Sequence, residues 1–185
     1  MTSIPTIETA RLLLRGWQPS DRQFFATMNR DPQVMQYFPA LLTPIESDRL
    51  IDRAEAHFEQ HGFGPWAAEL RSSQEFIGFI GLSVPNFEAP FMPSVEIGWR
   101  LASAYWGWGL ATEGAKAAVC HGFASLKFPE LVSFTVPDNT RSRRVMEKLG
   151  MTHDSADDFD HPNLPEGHPL RRHVLHRLAA RDALY

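Results

Sequence analysis

Trp106-Gly107-Trp108-Gly109 is the stretch of this chain best suited by residue type and spacing to hold an anion. It follows the run Ser94 to Leu101, where Val95, Ile97, Trp99 and Leu101 alternate with Glu96, Gly98 and Arg100, the period of two of a strand. It precedes a segment in which Ala111, Ala115, Ala118 and Gly122 recur at helical spacing. The first N–H groups of a helix have no intrahelical acceptor and lie at the positive end of its dipole. Glycines let the backbone approach a phosphate with no Cβ in the way. Two phosphate-binding patterns are excluded. A dinucleotide fingerprint needs a third glycine where Thr112 stands, and no Gly-Lys-Ser/Thr of a P-loop follows. A plain tight turn between strand and helix is the alternative.

The elements that must position this turn are legible on both sides. Leu12-Leu13-Leu14-Arg15 reads as a first strand. Ser20 with Gln23 three residues on has the spelling of a capping box, opening a helix that carries Phe24, Phe25 and Met28. Thr43-Pro44-Ile45-Glu46 is a stronger start, with a cap, a proline at the first helical position and an acid at the third; the helix runs to about His61 and stops at Gly62. Between these helices, Val34 to Pro39 is apolar without periodicity, and reads as buried or as lining an acceptor pocket. Pro65 to Leu70 and Glu75 to Val84 form a hairpin by spacing, with Gly78 and Gly81 marking a bulge or a close backbone approach. Leu131 to Val136 is a β-branched strand, and Asn139 caps a short helix ending at Leu149-Gly150. Antiparallel neighbours followed by strand, turn and helix predict an α+β fold.

Composition narrows the partners. The chain has 185 residues, a single-domain length, and a net charge of -4 with no basic stripe, which argues against nucleic acid. No apolar run approaches the roughly 18 residues of a membrane span, and Met1 to Pro5 lacks the charged and apolar regions of a signal peptide. The lone Cys120 forms no internal disulfide, which fits a cytoplasmic protein, and its mid-helix position predicts a packed side chain. His161, His168, His173 and His176 raise the question of a metal. Their spacings of seven, five and three match no compact ligand motif, so no metal is expected. The proline-rich segment 154–169 is predicted to be a structured loop over the acceptor side.

Glu96-Ile97-Gly98-Trp99 through Gly107-Trp108-Gly109-Leu110-Ala111-Thr112-Glu113 resembles the acetyl-CoA site of the GCN5-related N-acetyltransferases (GNAT). The opening ETARLLLRGW is similar to the first strand of the branch that acetylates ribosomal-protein N-termini, the RimJ/RimL-like enzymes. The piece VPDNTRSRRVMEKLGM resembles the second signature of the same family. The resemblance covers roughly Thr9 to Met151 and returns at Val174 to Leu178. It implies a mixed, mostly antiparallel sheet flanked by helices and splayed at the acyl-CoA-binding strand. It also implies acetyl-CoA as co-substrate, an amine acceptor, and a monomer or homodimer. Cofactor contacts are implied at Trp99, Arg100, Leu101, Trp106, Gly107, Trp108, Gly109, Leu110, Ala111, Thr112 and Asn139. The family's loop begins with Gln or Arg, whereas Trp106 or Gly107 holds that end here, so backbone donors replace a basic contact.

The implied reaction is direct attack of a neutral amine on the thioester. Glu96 is the candidate general base, because alternation puts it opposite Ile97 and Trp99 and beside Gly98, which leaves room for a substrate. The family's tyrosine acid is replaced by Met146, with Ser142 as a substitute candidate; a thiol of pKa near ~8.5 also leaves unaided. At pH 7 an α-amine of pKa ~8 is roughly 10% neutral and a lysine amine well under ~0.1%, which favours peptide N-termini or small weakly basic amines. A non-catalytic acyl-CoA-binding module and an enzyme for a longer acyl chain are the competing readings.

Overall fold

The computed structural model describes residues 4–183, so the reading of Met1, Thr2 and Ser3 lies outside it. The chain divides into two compact units, Met1–Ser83 with Gly98–Ala118, and Val84–Ile97 with Val119–Tyr185. The α+β class holds: among the described residues the strands form a mixed, mostly antiparallel open sheet, flanked by four α-helices.

In the first unit the strands run in the order β1 (Ile7–Glu8), β2 (Leu12–Arg15), β3 (Pro65–Leu70), β4 (Phe76–Ser83), followed by the C-terminal part of β5 (Glu96–Leu101). β1 is a two-residue strand that the sequence does not announce; it pairs antiparallel with β2 at Ile7↔Leu14. The register of β3 on β4 slips between Ala68 and Glu69, so Ile77 is the extra residue on β4, next to Gly78. A Cβ on Gly78 would overlap the Arg100 carbonyl, so the close approach read from this glycine is a contact of β4 with the β5 backbone.

Two helices pack in this unit. α1 (Asp21–Met28) begins where expected, but Ser20 makes no capping bond. Ser20 is already helical in φ and ψ, and Asp21 takes over by accepting the Gln18 N–H at 2.8 Å. α2 (Pro44–His61) forms the full Thr43–Glu46 capping box and ends at a left-handed Gly62. Phe25, Met28, Val34 and Ile51 make their shared core, with Trp17 and Phe79 against it, so part of the aperiodic 34–39 run is buried. Burying one such side chain contributes about 1.5–3 kcal/mol. α3 (Leu110–Ala124) begins in this unit, and a Cβ on Gly114 would collide with Ile80. Small residues are what let α3 lie close to the sheet.

In the second unit the start of β5 pairs parallel with β6 (Glu130–Thr135) at one register position, Glu96↔Val132. α4 (Thr140–Lys148) follows β6, capped by Asn139 Oδ1 accepting the Ser142 N–H at 3.3 Å. After it come β7 (Thr152–His153), β8 (Phe159–Asp160) and β9 (Arg172–Ala179). β6 pairs antiparallel with β9 from Glu130↔Ala179 to Thr135↔Val174, and β7 also pairs with β9. The 154–169 segment is ordered by β8, paired with β9 at Phe159↔His173. Cys120 corrects the sequence reading: it is exposed. It lies off the Ala115–Ala118–Gly122 stripe, which is the face that packs.

Candidate functional site

The glycine turn belongs to the first unit and leads straight into α3. Trp106 Nε1 donates to the Leu101 carbonyl at 2.8 Å, folding the indole back on the end of β5. Gly107 and Gly109 have φ of +79° and +80°, a region that costs a β-branched residue most. Nothing lies within 4 Å of a Cβ built on Gly107, so the space beside the turn is open. Trp108 between them is 69% exposed. The Glu113 N–H bonds the Gly109 carbonyl at 3.0 Å, which makes the N–H groups of Leu110, Ala111 and Thr112 the helix's unpaired first turn. Leu110 anchors this start by burial. A phosphate fits these residues: open glycines in front, helix amides behind.

Arg11 is the participant that sequence reasoning missed. It reaches the turn from the opposite end of the unit, donating through Nη1 to the Trp108 carbonyl at 2.9 Å. Its Nε and Nη2 grip the Glu113 carboxylate at 2.7 and 2.6 Å. Glu113 also accepts from Thr9 Oγ1 at 2.6 Å and the Arg11 N–H at 2.8 Å. Although desolvation opposes it, these bonds and the Arg11 charge hold the Glu113 carboxyl below its ordinary pKa. The turn therefore has a cation beside it, and an acid already neutralises that cation.

Further back on β5, Leu101 is buried, and Trp99 and Arg100 are half-buried. Arg100 Nη1 donates to Asn29 Oδ1 at 2.7 Å, and Asn29 Nδ2 donates to Ser47 Oγ at 2.9 Å. The Arg100 guanidinium lies 4.0 Å from the Phe38 ring centroid. Burial without a counter-charge lowers its pKa to about 10, so it stays a cation at neutral pH.

The second unit holds the remaining candidates. Glu96 is half-buried, and its carboxyl has no hydrogen-bond or ion-pair partner among the described residues. Desolvation alone raises its pKa to about 8. Asn139 spends its Nδ2 on Thr135 Oγ1 at 2.9 Å and its Oδ1 on the α4 cap. Ser142 is half-buried in the first turn of α4, and Met146 is fully buried one turn on. Asp157 is committed to Arg177, whose Nε donates to it at 2.7 Å. Phe87, Phe91, Phe134 and Phe159 cluster with His161 and His173, whose rings stand 5.1 Å apart. Burial pushes both imidazoles below their ordinary pKa. Among the described residues no three His, Cys, Asp or Glu side chains come together as a metal site. No described helix is long and apolar enough to cross a membrane.

Known proteins share both this sequence pattern and this fold. The family model described as an acetyltransferase (GNAT) domain matches residues 11–152. The FsC-acetyl coenzyme A-N(2)-transacetylase of Aspergillus fumigatus is 33% identical over 157 residues, which cover 80% of this chain and 66% of that protein. A solved acetyltransferase from Agrobacterium tumefaciens superposes with a TM-score of 0.77 at 28% identity, covering 96% of each chain. Mycobacterium smegmatis RimJ, solved with CoA-disulfide, has the same fold at a TM-score of 0.75 and 21% identity, over 96% of this chain and 88% of that one.

Proposed function

This chain belongs to the GNAT acetyltransferase family and is an acetyl-CoA-dependent acyltransferase, and on that premise we propose that it transfers acetyl directly from acetyl-CoA to a primary amine. The observation that carries the reading is the open first turn of α3 behind Gly107 and Gly109. Pyrophosphate of the co-substrate sits on the N–H groups from Trp106 to Thr112, with Arg11 fixing the turn. The pantetheine arm adds along the backbone of Trp99 to Leu101 as a further strand, and Asn139 is the contact supplied by the second signature.

Glu96 takes the proton. A carboxyl with pKa about 8 is close to the operating pH, where a general base works best. The backbone of β5 polarises the thioester carbonyl, and the thiolate leaves with Ser142 as the candidate hydroxyl on α4 or leaves unprotonated. The acceptor is an α-amine or small amine, in line with the RimJ/RimL-like spelling of the chain and with the N(2)-transacetylase among its relatives. The whole chain works as one acetyltransferase domain in the cytoplasm, as a monomer or homodimer.

Thiol release from acetyl-CoA, screened against amino acids, polyamines, aminoglycosides and N-terminal peptides, tests the reading. Steady release with at least one amine is expected. Acetyl-CoA binding without release for any amine would make the chain a non-catalytic acyl-CoA module.

A further inference from the structure

Arg100 is a cation without an anion among the described residues. Asn29 and Ser47, both fully buried, form a relay that presents one neutral oxygen to one corner of its guanidinium, at Nη1. Phe38 covers one face at 4.0 Å, and Phe79 stands 5.7 Å from the guanidinium carbon. The opposite edge is unused. Nε is buried and has no hydrogen-bond partner, and Nη2 donates to none of the described residues. No carboxylate among the described residues comes within ion-pair distance of 4.0 Å. Asp31, two residues beyond Asn29, is occupied by Ser103 Oγ at 2.7 Å and the Gln33 N–H at 2.8 Å.

A purely structural arginine accounts for the Nη1 bond and the aromatic stack. It does not account for the Nε–Nη2 edge, which grips a carboxylate through two parallel N–H bonds. Leaving a buried donor and an unpaired charge there is costly, and a methionine would fill the same space between two phenylalanines without that cost. An anionic group on that edge would supply the missing partner.

Resting on the amine-transfer reading above, we propose that the Arg100 side chain, backed by Asn29 and Ser47 and stacked on Phe38, is a subsite for a carboxylate of the acceptor. The acceptor class is then an amine that carries an acid group in the same molecule: an amino acid derivative, or a peptide with an acidic side chain or free C-terminus. In that reading the co-substrate runs along the backbone of Trp99 to Leu101, which sets this role of the Arg100 side chain apart from acetyl-CoA binding. Phe38 and Asn29, from the segment joining α1 to α2, become specificity residues.

Two measurements on the whole protein decide it. The first is a thermal-shift titration with succinate as a bare carboxylate probe, comparing wild type with R100M and R100K. Succinate is expected to stabilise wild type, to stabilise R100K less, and to leave R100M unmoved. The second is thiol release with matched acceptors: a short peptide with a free C-terminus against its amide, and a Glu-bearing against a Gln-bearing peptide. Wild type is expected to favour the acid member of at least one pair by about 10- to 100-fold in kcat/KM, the loss usual for a charge-assisted bond. R100M should erase that preference, the acid member of the pair losing far more in kcat/KM than its neutral match. A rise in the acetyl-CoA KM with acceptor preference intact would assign the cation to the co-substrate and overturn the proposal. So would equal succinate responses in wild type and R100M, or a marked fall in the R100M melting temperature with no succinate effect in either. Absence of thiol release with every amine would sink the transfer reading alone, since the succinate titration still decides Arg100. R100K keeps the charge if R100M fails to fold.

Discussion

Arg11 and Glu113, 102 residues apart, close a two-bond ion pair at 2.7 and 2.6 Å that ties the bend between β1 and β2 to the first turn of α3. Arg11 is half exposed, so the pair contributes about 0–1 kcal/mol to stability. Its weight is positional. The same arginine holds the Trp108 carbonyl, so the pair sets where the helix amides point. It also cancels an acid that would otherwise repel a phosphate.

Arg11→Ala should therefore separate binding from folding. Glu113 is left negative at the helix start, and acetyl-CoA affinity is expected to fall about tenfold, or ~1.4 kcal/mol. The melting temperature should move little. Calorimetric titration of acetyl-CoA checks it; an affinity equal to wild type would reduce the pair to a surface tie.

Gly109→Val tests the turn itself. At φ +80° a β-branched residue costs about 1–3 kcal/mol, and its Cβ would lie 3.6 Å from Arg11 Nη2. Acetyl-CoA binding should be lost while circular dichroism of the folded chain is retained. Gly107→Ala, with open space around its Cβ, should bear only the conformational cost and bind measurably. Undiminished affinity in folded Gly109→Val would place the phosphate elsewhere.

What the sequence spells out is what acts within one turn or one pleat. The Thr43–Glu46 box, the β3–β4 hairpin, the alternation at Glu96–Leu101 and the glycine turn are all local patterns, and each stands where its spelling puts it. Contacts made across the fold have no local spelling. Arg11 with Glu113 and Arg100 with Asn29 join residues 102 and 71 apart. Ser20 shows the reverse case: its pattern is that of a cap, but the neighbouring Asp21 has the stronger claim on the Gln18 N–H and on Arg15. For Cys120 a mid-helix position says nothing about exposure, which only the phase of the packed stripe decides.

Asp21 carries the largest stability prediction. Both its oxygens accept from Arg15, at 2.8 and 2.9 Å, and Arg15 Nε holds Glu69 at 2.7 Å. Arg15 is 7% exposed and Asp21 1%. Removing one partner strands a buried charge, and such losses run to about 3–5 kcal/mol. Glu69 remains, so Asp21→Ala is expected to cost ~3 kcal/mol by urea unfolding. A loss below ~1 kcal/mol would mean that the arginine rehydrates or finds another acid.

Glu96→Gln joins chemistry to pH. Glu96 has no partner among the described residues to hold its charge, and its pKa is raised to about 8, so at pH 7 only about a tenth of it is ionised. If it is the base, kcat/KM of wild type carries a limb at about 8 from this carboxyl on top of the acceptor amine's own, whereas Glu96→Gln keeps only the amine's. The loss above pH 8 should be about 10²–10⁴-fold, or ~3–5 kcal/mol of transition-state stabilisation, with acetyl-CoA affinity unchanged because backbone amides hold the phosphate. Stability gives a second, independent readout. A carboxyl whose folded pKa lies above its unfolded value favours folding while protonated, and that advantage disappears as pH rises from the ordinary carboxylate range through about 8. Glu96→Gln cannot ionise, so its melting temperature should gain on wild type across that interval and stay ahead above it. A melting curve that gains as expected, together with an unchanged pH–rate limb, would leave Glu96 buried and titrating but not the base.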